Sequence, residues 1–146
     1  MQLPSRHGIS RAKLFLDLAD DCRASERDHH EAYLEAAIVF CRTAILRLIP
    51  RYKKSARWKA WFDLLLMNAS IEFIRSERNF ILKEAPPKVG QITYGGGLEV
   101  DRAKYLYYYE NPNVPAVDTV RRHVAEVERV ILEGEKLFGG GAKVKA

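Results

Sequence analysis

Residues 26–49 constrain the fold most strongly, because they predict a long helix that is apolar over most of its circumference. Apolar side chains recur there at three- and four-residue spacing: Tyr33, Leu34, Ala36, Ala37, Ile38, Phe40, Cys41, Ala44, Ile45 and Leu48. A helix that is apolar on nearly every side is stable only when other elements surround it. This segment is therefore predicted to run through the centre of a helical bundle. Pro50 is expected to end it, because proline lacks the backbone N–H that would continue the helix.

Four further segments show helical spacing of apolar residues. They cover about 11–24, 57–66, 69–84 and 116–138. Ser10 and Asn68 are predicted to cap the first and the third of these segments, since their side chains accept hydrogen bonds from free N–H groups at a helix start. Pro86 and Pro87 stop the helix that precedes them.

The chain between Pro87 and Pro112 opposes helix formation. Two runs of β-branched and aromatic residues, 89–94 and 103–109, flank three consecutive glycines, which predicts a small β-hairpin or an irregular excursion. Pro112 and Pro115 are expected to bracket the entry to the last helix. The predicted fold is thus an all-α, up-and-down bundle of four to five helices. We expect a single domain over 1–146, ordered over about 10–138, with a tail over 139–146.

Composition is that of a globular chain, with 47% hydrophobic and 29% charged residues among 146. Without a signal sequence or an apolar run long enough to cross a bilayer, we expect a cytoplasmic protein and no membrane partner. Cys22 and Cys41 fall in apolar helical patterns and are predicted to be buried free thiols. No metal-ligand spacing is present, so neither a metal nor a cofactor is predicted. The net charge of +5 permits a polyanionic partner.

The fourth predicted helix carries an arginine on its apolar side. At about 100° per residue, the apolar residues within about 60° of Arg78 are Ile71, Ile74, Ile81, Leu82 and Ala85. A buried guanidinium needs carboxylates, carbonyls or a bound anion. Arg78 therefore marks a structural ion pair, a subunit interface or a ligand site, and these three stay open. The acids available on the first two helices for an ion pair are Asp17, Asp20, Asp21 and Glu35.

Other polar groups favour simpler interpretations. Glu72, Ser76, Asn79 and Lys83 share one stripe of the fourth helix and fit a solvated face better than a cleft wall. The adjacent His29 and His30 are expected to be exposed. A basic patch that includes 121–123 could bind nucleic acid with Trp58 and Trp61 as stacking platforms. Aromatic residues at helical spacing are more often core residues, and that interpretation is preferred.

A long second helix, a closing helix and the sequence Arg78-Asn79-Phe80-Ile81-Leu82-Lys83 on the fourth helix resemble the HEPN superfamily of all-α bundles. The signature of that family is Arg, four to six residues, then His, often written Arg-Asn-x-x-x-His. Lys83 stands at the position of the histidine. The resemblance covers about 10–138 as a helix pattern, and its specific part is Arg78 and Asn79.

The resemblance implies a ribonuclease-related homodimer in which two motif copies meet and act on RNA. Arg78 and Asn79 would be phosphate clamp and orienting group, so Arg75, Arg78, Asn79 and Lys83 are candidate RNA- or nucleotide-binding residues. Histidine exchanges protons near neutrality, with a pKa of about 6.5, whereas an ordinary lysine at about 10.4 stays charged. The expectation is therefore a degenerate module that binds RNA or a nucleotide without efficient cleavage.

Two alternatives stay open beside that expectation. The first is a non-enzymatic dimeric scaffold or interaction protein with Arg78 in a structural ion pair. The second is an atypical, metal-independent ribonuclease in which Arg78, Asn79 and Lys83 would be the candidate catalytic residues. Whether the chain is an enzyme is thus undecided by its sequence.

Overall fold

The computed structural model describes residues 5–83, 89–91, 106–108 and 111–139. Within these ranges the chain forms five α-helices: α1 Ser5–Asp21, α2 Arg27–Tyr52, α3 Trp58–Leu66, α4 Ala69–Leu82 and α5 Ala116–Gly134. A 3₁₀ turn, Ala24–Glu26, precedes α2, and a π-helical turn, Glu135–Gly139, follows α5. The predicted all-α helical bundle is confirmed. Among the described residues, no helix has both the length and the apolar composition that crossing a membrane requires.

Helix α2 lies at the centre of the bundle, as its apolar circumference predicted. It packs against α1, α4 and α5. Its buried residues face three different neighbours and include His30, Leu34, Ala37, Ile38, Cys41, Ala44, Ile45 and Leu48. Both cysteines are buried and free, as predicted. Burial raises the pKa of Cys41 to about 12, so its thiol stays protonated at neutral pH.

The start of α1 differs from the prediction. The helix begins at Ser5, so Ser10 lies inside it and is not its cap. Gly8 explains the difference, because a Cβ added there would lie 2.7 Å from the carbonyl oxygen of Phe40. Glycine lets α1 approach the backbone of α2 closely, and burial of Ile9 holds this extra turn against the core.

The end of α2 also differs. Pro50 was expected to terminate the helix, yet α2 continues to Tyr52 with Pro50 inside it. The N–H of Lys53 donates to the carbonyl of Ile49 at 2.9 Å and closes the last turn. Proline removes only its own donor, and the carbonyl that loses this partner belongs to Leu46, an exposed residue that water can reach.

The excursion before α5 is a three-stranded antiparallel sheet in the order β1 Val89–Gln91, β2 Leu106–Tyr108 and β3 Asn111–Pro115. Strands β1 and β2 lie in the two predicted runs, while the three glycines between them fall outside the described residues. The prediction missed β3, because its two prolines were assigned to the entry of the last helix. Proline is tolerated in β3 since, among the described strands, β3 lies at the edge of the sheet and pairs with β2 alone. The buried ring of Tyr108 packs edge-on against Phe73 of α4 at 5.2 Å.

Aromatic side chains fill the end of the bundle near α3. Trp58 is buried, and its ring lies within 6 Å of the rings of Trp61, Phe62 and Phe138. Gly134 gives Trp61 its space, because a Cβ there would come within 2.7 Å of the indole. The interpretation of these tryptophans as core residues is confirmed.

Candidate functional site

Helix α4 begins as predicted and ends slightly earlier. The Asn68 side chain accepts hydrogen bonds from the N–H groups of Ser70 and Ile71 at 2.9 and 3.2 Å, which makes it the N-cap. The helix ends at Leu82, and Lys83 is the C-cap residue instead of part of the helix.

The sequence predicted that Arg78 lies in the middle of the buried face of α4. In the structure it lies at the flank of that face. The fully buried positions are Ile71 and Ile74, and the most buried charged residue on this helix is Glu77, which is 8% exposed. Leu82, which the prediction placed on the apolar side, is 58% exposed, so the buried face is rotated away from it. Glu77 has an interaction partner of its own. Arg78 itself is half-buried.

No described carboxylate pairs with Arg78. None of the ion pairs among the described residues includes it. Of the acids considered as partners, Asp17 and Asp20 contact Arg121 of α5, at 3.1 and 4.0 Å. Glu35 is exposed, and its pKa is raised by burial of part of the carboxyl and by the charge of Glu31, so no cation dominates its surroundings.

A third arginine, which the sequence analysis missed, faces α4 from α2. Arg42 is half-buried, and its Nε is buried without a hydrogen-bond partner among the described residues. Burial lowers the pKa of Arg42, and the charges of Arg75 and Arg78 lower it further, while Glu72 opposes them. An arginine stays protonated in proteins even so. The charges of Arg75 and Arg78 thus act on Arg42, and we call Arg42, Arg75 and Arg78 the arginine cluster.

One carboxylate partly offsets the arginine cluster. Arg75 donates from Nε and Nη2 to the two carboxylate oxygens of Glu72 at 2.9 and 2.8 Å. Both side chains are on α4, three residues apart, and both are largely exposed. The pair raises the pKa of Arg75 through the hydrogen bonds of Glu72 and then its charge. When Arg42 is counted together with Arg75, Arg78 and Glu72, two positive charges remain in excess.

Asn79 and Lys83, the other candidate residues, share a stripe of α4 with Glu72. Asn79 is half-buried, and its backbone carbonyl accepts the N–H of Lys83 at 3.1 Å. Lys83 is exposed and is not among the charges that act on Arg42. The structure thus brings Arg75 and Arg78 together with Arg42, and it does not bring Lys83 to them. The solvated face predicted for Glu72 and Lys83 agrees with their exposure.

Two residues of the predicted basic patch, Arg121 and His123, have partners within the fold. His123 Nδ1 lies 2.8 Å from the hydroxyl of Ser70, and its ring stacks on Phe73 at 4.0 Å. One turn along α5, Glu126 accepts a hydrogen bond from Asn68 at 3.1 Å. The pKa of Glu126 is lowered to about 2, first by hydrogen bonds from Arg129 and then by that of Asn68. These contacts fasten the start of α4 to α5.

The prediction that both adjacent histidines are exposed is right for His29 and wrong for His30. His30 is 1% exposed, and its Nδ1 lies 2.7 Å from the carbonyl oxygen of Ala19. That carbonyl is near the end of α1 and also accepts the N–H of Cys22 at 3.2 Å, so the imidazole lies at its second acceptor position. The signal was the apolar spacing of α2, which places position 30 on the same side as Leu34 and Ala37.

Comparison with known proteins adds no relative. No family model matches the chain, and no curated protein or solved structure is significantly similar to it. The likeness to the HEPN superfamily therefore rests on the sequence pattern around Arg78 and Asn79 alone.

Proposed function

We propose that this chain is a HEPN-like module whose arginine cluster binds the phosphate groups of RNA or of a nucleotide without efficient cleavage. The observation that carries the proposal is that the charges of Arg75 and Arg78 on α4 act on Arg42 of the neighbouring helix α2, with Glu72 as the one described carboxylate acting on Arg42. Like charges that act on one another repel. A bound anion removes that cost.

Phosphate is the anion that these side chains fit best. The guanidinium fork donates two parallel hydrogen bonds to two phosphate oxygens, and a half-buried site strengthens them by excluding water. Arg78 is half-buried and makes no ion pair with a described residue, so its donors are free for a ligand. Asn79, its neighbour in the motif, would orient the nucleotide.

Binding without cleavage follows from the position of Lys83. In the related motif a histidine supplies proton transfer, and Lys83 stands in its place, exposed at the end of α4. A group that transfers a proton must reach the reacting atom within hydrogen-bond distance. A phosphate held by the arginine cluster would lie near Arg42, and Lys83 is not among the charges that act on Arg42.

A second candidate function is a dimeric scaffold in which a carboxylate of a second copy pairs with Arg78. Leu82 favours an interface at this place, because it is 58% exposed and lies one helical turn from Arg78 on the same side of α4. The homodimer is part of both proposals. They differ in whether an acidic side chain or a phosphate occupies the arginine cluster.

Binding of fluorescently labelled single-stranded RNA at several KCl concentrations tests the proposal. The wild-type chain is expected to bind with an affinity that falls as salt rises, since each phosphate contact releases counterions. Arg78→Met should weaken binding by about tenfold or more, and Arg78→Lys should weaken it less, because lysine keeps the charge but loses the fork. Arg122→Met is the matched control, since it removes one exposed charge on another helix.

Two results would argue against this function. If the wild-type chain bound no RNA at low salt, the proposed RNA-binding function would be wrong. An affinity that falls equally in Arg78→Met and in Arg122→Met would show that net charge, and not the arginine cluster, holds the RNA.

A further inference from the structure

We infer that a second copy of the chain packs on the outer face of α2, with the two α2 helices antiparallel and Glu35 of each copy beside Arg42 of the other. This contact goes beyond the proposed function, because it assigns a surface and an orientation to the dimer and does not depend on RNA. It follows from the apolar circumference of α2, since α1, α4 and α5 cover only part of that circumference.

The outer face of α2 carries an apolar stripe that no described element buries. Its residues follow one another at alternating spacings of four and three, and we call them the outer stripe: Ala32, Ala36, Val39, Thr43 and Leu46. Ala32 and Leu46 are exposed, and the other three are partly exposed. The Thr43 hydroxyl donates to the carbonyl of Val39 at 2.9 Å, so it needs no polar partner from outside. Alternating spacings of four and three are the pattern by which one helix packs along another.

The apolar surface continues from α2 onto α1. Leu14 and Leu18 are exposed, lie one helical turn apart and flank Phe15. The partly buried ring of Phe15 stacks on that of Phe40 at 5.5 Å. Phe40 in turn lies one helical turn from Ala36 of the outer stripe. Two helices therefore contribute to one contiguous apolar face, and such a face marks a contact with another protein molecule.

Charges along one edge of the outer stripe select a second copy and its direction. Asp28, Glu35 and Arg42 recur there every seven residues, so two acids precede one arginine. When two α2 helices run antiparallel and cross near Val39, this edge of one copy lies beside the same edge of the other in reverse order. Glu35 of each copy then meets Arg42 of the other, which gives two ion pairs per dimer. A parallel pair would place equal residues at the same level and would not join these opposite charges.

Neither Glu35 nor Arg42 has an ion-pair partner within the described chain. They cannot pair with each other in one copy, because seven residues span about 10 Å of helix. Glu35 is exposed and Arg42 is half-buried. The Nε of Arg42 is buried without a hydrogen-bond partner, so the ion pair would use the Nη groups. The second copy supplies to each side chain the opposite charge that its own chain does not.

This dimer leaves the arginine cluster able to attract an anion. Glu35 of the second copy would lower the positive excess of Arg42, Arg75, Arg78 and Glu72 from two charges to one. One positive charge still favours a phosphate group over a neutral ligand. Dimer formation and RNA binding can therefore be measured separately, by sedimentation velocity and by titration with labelled RNA.

Charge-reversed variants test the two ion pairs. At tens of micromolar, the wild-type chain is expected to sediment as a dimer. Glu35→Arg and Arg42→Glu should each weaken the dimer by about tenfold or more, because like charges then meet twice. An equimolar mixture of these two variants should form a heterodimer, since both contacts again join opposite charges. Arg122→Glu, which reverses an exposed charge on another helix, is the control and should stay dimeric.

A long charged side chain in the outer stripe should separate the two copies. Ala36→Arg should be monomeric where wild type is dimeric, whereas Ala60→Arg, the same change at an exposed alanine of α3, should not. Circular dichroism should show unchanged helix content in Ala36→Arg, because its arginine can reach solvent in the monomer. If that variant does not fold, the charge-reversed pair decides. Leu82→Lys should keep the dimer, which separates this surface from the one around Leu82.

Several results would overturn this inference. They are a monomeric wild-type chain at tens of micromolar, a dimer that persists in Ala36→Arg, and dissociation in Leu82→Lys instead. Failure of the two charge-reversed variants to form a heterodimer would show that the antiparallel order is wrong. A dimeric wild-type chain that binds no RNA would end the proposed function and leave this inference standing, and RNA bound by a monomeric wild-type chain would do the reverse.

Discussion

The α1–α5 contact and the α2–α4 contact treat their charged side chains in opposite ways. Between α1 and α5, Lys13 pairs with Glu128 at 2.8 Å, and Arg121 pairs with Asp17 at 3.1 Å. Between α2 and α4, the arginine cluster faces Glu72, which is already held by Arg75. The same chain thus supplies carboxylates for Lys13 and Arg121 at one helix contact and leaves positive charge in excess among the described groups at the other.

This difference distinguishes charged side chains that stabilise the fold from charged side chains that are available to bind a ligand. A half-buried arginine whose only role is structural is expected to have its carboxylate nearby, as Arg121 does. Clustered arginines without enough carboxylates lower the stability of the folded chain, and they provide a surface that can bind an anion. We therefore interpret the α1–α5 contact as structural and the arginine cluster as functional.

The largest expected effect is on RNA binding by the double variant Arg42→Met/Arg78→Met. Removing two of three guanidinium groups should weaken RNA binding by about a hundredfold, or about 3 kcal/mol, because each charge-assisted hydrogen bond contributes about 1.5–3 kcal/mol. Its stability to urea should equal or exceed that of wild type, since like-charge repulsion is relieved. The matched control is Asp17→Asn/Arg121→Met, which should bind RNA as wild type does. Similar losses of RNA affinity in both double variants would contradict the distinction between the α1–α5 and α2–α4 contacts.

The salt dependence of RNA binding should differ between the two contacts. Each phosphate contact contributes about 0.7 to the slope of log affinity against log salt for single strands. Arg78→Met should therefore lower the slope by about one contact, and Arg121→Met should leave it unchanged. The measurement is a titration of labelled RNA between about 50 and 200 mM KCl, a range over which such contacts lose much of their strength. A slope unchanged in Arg78→Met would mean that Arg78 contacts no phosphate.

Stability should fall with falling pH because of His30, which joins α1 to α2 away from the cluster. Burial lowers the pKa of His30, partly opposed by its hydrogen bond to Ala19 and by the charges of Glu31 and Asp20. The unfolded chain then takes up a proton below about pH 6.5 that the folded chain does not, so this stability is complete above that pH and is lost below it. His30→Gln should flatten the pH dependence of urea unfolding, and His29→Gln should not. A steep fall retained in His30→Gln would assign it to another group.

The ion pair of Arg121 should contribute little despite its good geometry. Its side chain is 41% exposed and that of Asp17 is 68% exposed, and such pairs contribute about 0–1 kcal/mol. Arg121→Met should lower the free energy of unfolding by less than about 1 kcal/mol in urea titrations. A loss of several kcal/mol would mean that this contact is much less solvated than its exposure indicates.

The smallest expected effect is that of Lys83. It lies exposed at the C-cap of α4 and does not act on Arg42. Lys83→Met should change RNA affinity by about threefold or less, the amount expected for one exposed charge on the surface. Affinity measured for Lys83→Met and Arg42→Met on the same RNA checks this order. A greater loss of RNA affinity in Lys83→Met than in Arg42→Met would mean that Lys83 is part of the binding site.

The sequence predicted the bundle well because its helices depend on local spacing and caps. The central position of α2 and the cap at Asn68 follow from patterns within a few residues. The early start of α1 could not be read in this way, since it depends on the contact between Gly8 and Phe40, which are far apart in sequence. Strand β3 was missed because its prolines are compatible with a sheet only at an edge, and the order of strands is a property of the whole fold.

The site was predicted only in part for the same reason. Arg75 and Arg78 were chosen from the motif on one helix, and the structure keeps them together. Arg42 needed the packing of α2 against α4, although a charged residue inside an apolar helix was a signal that Arg78 had already illustrated. The rotation of α4 was misjudged because Leu82 was counted as buried, which placed Arg78 too near the centre of the buried face.

The free energy of unfolding of Arg78→Met, measured in urea with and without single-stranded RNA, tests the central claim most directly. If the arginine cluster is a phosphate site, the variant should be as stable as wild type without RNA, and RNA should stabilise wild type but not the variant, because a ligand stabilises only the state that binds it. If Arg78 belongs to a buried ion pair, its removal should cost about 3–5 kcal/mol without RNA, and RNA should stabilise neither protein. That second result would contradict the account.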